Sequence, residues 1–382
     1  MPWTPSATVT IGTTNYTSSA LFAVQVSYGR TSIWQQPRAG YATIQLLNAN
    51  NTDYGINPNF PVTITIQDST NTTRTIFTGK VSSITNKVQK SGDSATVAIQ
   101  TITAMSVFAQ MARKTVGTTS YPLETDSDRI TRIYNEAGVT IETVDIPTYE
   151  FDARAASASD AYTLAALYAT QAFGYIYETT DGRVGFANEG HRTAEVLANG
   201  YTSIPTDIVN WQSISSQKSD TDITNYVTVN YKTGSESELD SNSILDYGYR
   251  YGNFTTELHK KSDAIDQARR WIALRSLPRT NLSAFVINLD DPRITNSLLD
   301  KLIQINLSMP IEIIGLPVPI KNVVYEGFVE GWTLNITRLQ ASISIQSSDA
   351  AYSLSPTRWS EVDAALQWNG VGAAVQWYNY DN

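Results

Sequence analysis

The sequence predicts a mainly β protein with α+β modules. It divides into two antiparallel β-barrel domains, the second split by a helix-containing insert, plus a small α+β domain and an extended Trp-rich C-terminal tail. Three observations carry this. Short runs of period-two alternation recur in two separated blocks, 8–103 and 206–346. Between them the apolar spacing becomes helical. Charged residues are only 16% of the chain, and Thr, Ser, Asn and Gln take their place, as in β-rich proteins with large assembled surfaces.

The first barrel domain, 1–115, opens with a Thr- and Ser-rich arm and a strand at Thr8–Ile11. Ala23–Tyr28 points Val24 and Val26 one way, Gln25 and Ser27 the other. The stretch from Gly29 to Asn59 organises the rest of the chain. Within it Ala42, Ile44 and Leu46 share one face of a strand over Tyr41–Leu47, and turn clusters come next at 48–51 and 57–59. Pro61 then admits the alternating run Val62–Gln67. Thr75–Asn86 and Ser94–Thr103 flank the turn at 90–93. Roughly six strands in about 80 residues predict a barrel or sandwich. Ala104–Lys114 reads as a short amphipathic helix, with Met105, Phe108 and Met111 facing one way to plug the open side.

The α+β domain spans 118–200. Ile130, Ile133 and Ala137 give a helix over 127–136, capped by Asp126 or Ser127 and stopped by Gly138. Val139–Val144 is a strand. Asp160–Ala172 is a second helix, with Ala161, Leu164, Leu167, Tyr168 and Ala172 as its apolar side. Asp181-Gly182 between Tyr175–Glu178 and Arg183–Phe186 is a hairpin signal. The second barrel takes 201–233, including a strand at Tyr226–Tyr231, and resumes at 301–350. The insert, 234–300, holds a helix from 264 to 275, capped by Ser262 or Asp263, with Ile265, Ala268, Trp271 and Ile272 inward.

The tail, 351–382, repeats with a nine-residue period. Trp359-Ser-Glu-Val-Asp-Ala-Ala-Leu-Gln is followed by Trp368-Asn-Gly-Val-Gly-Ala-Ala-Val-Gln and by Trp377. Two units are too few for a solenoid, which needs about three. They could bind sugars, but the repeat with Ala-Ala favours anchors that lay Trp359, Trp368 and Trp377, with Val362 and Val371, into pockets on a neighbour.

Composition excludes whole classes of chemistry. There is no cysteine, hence no disulfide, thiol nucleophile or thiolate metal site. The two histidines, His191 and His259, stand far apart and in no metal-ligand spacing. Net charge is −9, so the chain does not grip nucleic acid by counterion release, though it can guide it without adsorption. No apolar run reaches about 18 residues, and no membrane-spanning segment is expected. Met1-Pro-Trp-Thr-Pro carries no signal-peptide pattern. Phosphate-loop and Gly-x-Ser-x-Gly motifs are absent, and no cofactor is expected.

Three carboxylate pairs offer themselves as acid and base: Asp290 with Asp291, Asp220 with Asp222, and Glu326 with Glu330. Solvated turn residues are the plainer reading of such pairs. Asp220 and Asp222 lack the Gly and distal Glu of a calcium loop. The paired basic residues Lys260-Lys261 and Arg269-Arg270 read as decoration of one helix rather than as a DNA-reading patch. Tyr247, Tyr249 and Tyr251 suit packing or subunit contact, or alternatively stacking on sugars.

Gly29-Arg30 leads to Gly40, Ala42-Thr43-Ile44, Leu46 and Asn48, then Asn57-Pro58. This run, the ending Arg358-Trp359 to Trp368, and the order barrel, α+β module, split barrel resemble the minor tail and baseplate hub proteins of tailed bacteriophages. That tail hub family is related in architecture to contractile-phage hubs and type VI secretion spike bases. The resemblance implies a non-enzymatic virion component, assembled in the host cytoplasm and placed at the tail tip. It implies a homotrimer whose two barrels per chain adapt a six-fold tail tube to a three-fold tip and line the channel for DNA ejection. Its partners would be the tail tube or distal tail protein, the tape-measure protein, and a central fibre or spike. DNA would pass without being bound. Two alternatives stand beside it: a tail-tip adhesin or distal tail protein binding host-surface glycan, and a carbohydrate-active hydrolase.

Overall fold

Alternation in both blocks builds one 12-stranded sheet. The computed structural model describes residues 3–17, 20–49, 52–90, 97–321 and 323–354. The first block supplies β1 (Ala7–Ile11), β2 (Thr14–Tyr16), β3 (Leu21–Gly29), β4 (Arg38–Asn48), β5 (Pro61–Gln67), β6 (Thr73–Lys90) and β7 (Val97–Met105). They lie in the order β3-β4-β7-β6-β5-β1-β2. Period two puts Val62, Ile64 and Ile66 of β5, and Ala42, Ile44 and Leu46 of β4, on the buried face.

The second block adds Thr202–Pro205, Phe285–Asn288, Pro310–Leu316, Val323–Thr337 and Ala341–Asp349. Their inward side chains merge with those of the first block into one core. The strand Val323–Thr337 joins the two blocks. One edge pairs with Ala341–Asp349. The other edge is shared end to end, first by Pro310–Leu316 and then by β3. The changeover falls at Glu330, where the register against 341–349 shifts between Val329 and Gly331. Such a bulge re-aims a side chain. Gly29 lies opposite Gly331 there, at φ +91°, and a Cβ on Gly29 would stand 2.3 Å from the Glu330 carbonyl oxygen. Glycine permits both the dihedral and the approach. Among the described strands, no pairing closes either block into a barrel.

A second core gathers α1 (Val107–Met111), α2 (Asp126–Ala137), α3 (Ala161–Gln171), the hairpin Tyr175–Glu178 with Val184–Ala187, and the helix Lys261–Arg275. The Thr125 hydroxyl accepts from Asp128 N at the start of α2, and Gly138 ends it in the left-handed region. Asp160 caps α3 by accepting from Thr163 N.

Several placements differ from expectation. Tyr226–Tyr231 is the middle strand of its own sheet, between Gly234–Leu239 and Tyr251–Thr255, because Val227 and Val229 pack into the second core. Phe285–Asn288 belongs to the large sheet, where Phe285 and Ile287 enter the first core. Helix α1 buries Val107, Phe108 and Met111 in the second core rather than plugging the first block, and Met105 still belongs to β7. Leu167 is 44% exposed, because Ala165 and Ala169 let α3 pack on a neighbouring stripe. The 261–275 helix starts after Lys260, with no side-chain cap.

Candidate functional site at the junction of the two cores

The bulge at Glu330 turns a carboxylate inward where the large sheet meets the second core. Arg30, just after β3, donates from Nε to Glu330 Oε2 at 2.5 Å. The same residue's backbone N donates to the Glu330 carbonyl at 2.7 Å. Arg192, near the start of α4 (His191–Asn199), brings Nη2 to 2.8 Å from Glu330 Oε1 without hydrogen-bond alignment. Ser348 Oγ donates to Glu330 Oε1 at 2.5 Å. Arg192 also donates to the hydroxyls of Ser308 and Ser353, at 3.1 and 2.8 Å. Tyr175 donates to Ser308 Oγ, and its ring lies 5.0 Å from the Arg30 guanidinium and 5.3 Å from that of Arg192. All three charged residues are buried. Burial opposes the Glu330 charge, but the two guanidiniums more than offset it and hold the carboxyl below its ordinary value.

A third arginine stands beside this triad. Arg275 ends the 261–275 helix, where its charge complements the helix dipole. Its guanidinium sits 4.4 Å from the Trp34 ring centre, 4.9 Å from Tyr352 and 5.8 Å from Trp271. Its Nη1 donates to the Tyr352 carbonyl. Burial pushes its pKa down to about 9. Around it opens a cavity of about 120 Å³, walled by these groups with Phe173, Glu189 and Arg270.

A second buried acid links the cores. Glu178 Oε1 accepts from Gly40 N of β4 at 2.5 Å and from Ser106 Oγ at 2.8 Å, and Oε2 accepts from Phe108 N at 3.2 Å. Burial pushes this carboxyl up to about 7, against the pull of those three donors.

The carboxylate pairs seen in the sequence do not come together as acid and base. Glu330 is a counter-ion within the triad, while Glu326 sits opposite Glu312 on the sheet. Asp291 binds Arg293 at 2.5 Å in a turn, and that hydrogen bond holds its carboxyl down at about 2. Asp220 pairs with Arg250, and Asp222 accepts from Asn281. No metal-competent cluster of His, Asp and Glu occurs among the described residues. Lys260, Lys261, Arg269 and Arg270 each meet a carboxylate, from Glu150, Glu236, Glu238 and Glu189 in turn. Tyr249 and Tyr251 are exposed and pack on Tyr226. Trp359, Trp368, Trp377, Val362 and Val371 lie outside the described residues. The sequence reading missed Arg192, Arg275 and Glu178. Arg30 carried a signal as part of the Gly29-Arg30 motif, and Glu330 as one of the carboxylate pairs, though in a different role.

No family model matches the sequence, and no curated relative does. Solved structures do. The 43 kDa tail protein of prophage MuSo2 from Shewanella oneidensis superposes with TM-score 0.62 at 12% identity, over 91% of this chain and 99% of that one. A tail protein from Neisseria meningitidis MC58 gives TM-score 0.62 at 9% identity, over 92% and 98%. A prophage tail protein from Listeria monocytogenes EGD-e gives 0.53 at 10% identity, over 90% and 94%. No described helix is long and apolar enough to cross a membrane. Over about nine-tenths of its length, this chain shares the fold of these phage tail proteins.

Proposed function

We propose that the chain is a structural component of a bacteriophage tail tip, a baseplate hub or minor tail protein without enzymatic activity. Three copies form a ring. Each contributes its two β blocks, so the ring matches a six-fold tail tube on one side and a three-fold tip on the other, and lines the DNA ejection channel. The observation that carries this reading is the tail-protein fold, shared over 91% of the chain. Charge is consistent with a passage that does not adsorb DNA: the net charge is −9, and the paired basic residues of the 261–275 helix are neutralised by carboxylates. Its neighbours are the tail tube or distal tail protein, the tape-measure protein, and a central fibre or spike. The chain is assembled in the host cytoplasm and ends in the virion, where Trp359, Trp368 and Trp377 anchor it to a neighbour. Light scattering on the purified chain, with negative-stain images, tests this. A trimer with a central hole is expected. A chain that stays monomeric and never enters assembled tails would overturn it.

Exposed Tyr249 and Tyr251 favour one second reading, a tail-tip adhesin that stacks host glycan on these rings. It requires the isolated chain to bind oligosaccharide and to lose that binding when both tyrosines are replaced by Ala.

A further inference from the structure

The cavity beside the triad is short of negative charge. Four guanidiniums wall it, those of Arg30, Arg192, Arg270 and Arg275. Two carboxylates answer them: Glu330 serves Arg30 and Arg192, and Glu189 pairs with Arg270 at 3.0 Å. Arg275 has none. It is only 4% exposed, and among the described residues its Nε has no hydrogen-bond partner. Its surroundings are aromatic faces, which attract a cation but accept no in-plane hydrogen bond. A buried guanidinium normally meets a planar acceptor such as a carboxylate, because its fork matches two oxygens. The Arg275 fork is therefore matched to an acceptor from outside the described residues. The cavity's volume approaches that of cavities that admit a benzene-sized body.

We propose that this cavity is a binding site for a carboxylate carried on an aromatic or apolar body, with Arg275 as its charge partner and Trp34, Trp271 and Phe173 as its apolar wall. The carboxylate sits against the guanidinium edge. The body lies along the rings, where few polar groups need desolvating. A dianion such as phosphate fits this site less well, because it carries no apolar body to lie along the rings of Trp34, Trp271 and Phe173. This goes beyond the tail-tip reading and does not depend on trimer formation. Two sources offer the chemistry: a separate small acid, and the chain's own Trp359-Ser-Glu361-Val-Asp363 stretch, which places acids beside a tryptophan.

The test is calorimetric titration of the full chain at fixed ionic strength, with indole-3-acetate as probe and indole-3-acetamide as its neutral counterpart. The same titrations are run on the double variant Glu361→Gln with Asp363→Asn. Saturable binding of the acid is expected, with the amide weaker by about tenfold or more, the usual worth of a hydrogen bond to a charged group. Arg275→Met should weaken the acid by a similar factor. Arg269→Gln, on an exposed side chain outside the cavity, should leave it unchanged. Should Arg275→Met not fold, Trp34→Leu removes the wall at a half-exposed position and should also weaken binding. Tighter binding in the double variant identifies the tail acids as the native occupant, and equal binding identifies a separate ligand. Equal affinity for acid and amide, no binding in either chain, or undiminished binding after both cavity substitutions would overturn the proposal.

Discussion

Replacing Glu330 by Gln keeps the side chain's shape and removes the charge that two buried arginines share. The magnitude follows from the geometry. Two charges about 4 Å apart attract by about 4 kcal/mol at an effective dielectric near 20, so the two guanidiniums together contribute about 8 kcal/mol gross. Removing the carboxylate also removes its own desolvation penalty of several kcal/mol, so the net loss is about 3–5 kcal/mol, as for other broken buried pairs. The sheet magnifies the effect, because Glu330 sits at the bulge where β3 takes over from 310–316. Urea unfolding of wild type, Glu330→Gln, Arg30→Met and the double variant gives the coupling directly. The loss should persist at about 1 M salt, where exposed pairs are screened within roughly 3 Å. A loss for Glu330→Gln below about 1 kcal/mol, the range of surface ion pairs, or coupling that vanishes with salt would refute the buried-triad account.

Three further outcomes are expected. Glu178 has a folded pKa raised from 4.5 to about 7, so the fold holds a proton that the unfolded chain has released. That contribution is complete below about pH 4.5 and is lost as pH rises through 7, for about 3 kcal/mol in all. The difference in melting temperature between wild type and Glu178→Gln should therefore vary across this window, and parallel curves would count against it. Gly29→Ala places a Cβ 2.3 Å from the Glu330 carbonyl oxygen at φ +91° and should cost about 3 kcal/mol or more, read as a lowered urea midpoint. Deleting residues 356–382 should leave the rest of the chain folded but reduce incorporation into tails, since aromatic anchors contribute about 2 kcal/mol each; normal incorporation would sink the anchor idea.

Local structure was legible wherever the signal is itself local. Val62–Gln67 alternates and is a strand, Gly138 stops α2, and Asp181-Gly182 joins its hairpin. The union of the two blocks was not legible, because nothing in Gly29 or Gly331 announces a partner about 300 residues away. The same distance hid the site. Arg30, Arg192, Arg275 and Glu330 lie on separate elements, and no local pattern announces that they meet. Glu178 ends a hairpin strand, and nothing local marks it as buried. It is buried because Gly40 offers a bare backbone N–H there, and a Cβ on Gly40 would lie 2.9 Å from its Oε1.

The strand Val323–Thr337 has a consequence for how such a chain changes over time. Side chains alternate along it, so losing or gaining one residue before Glu330 would turn over every side chain facing 310–316 while leaving those facing β3 in place. The two blocks are geared through a single shaft. A loop such as 52–60 can lengthen without penalty to the gearing, but this strand keeps its length, and either block can be remodelled only in step with the other.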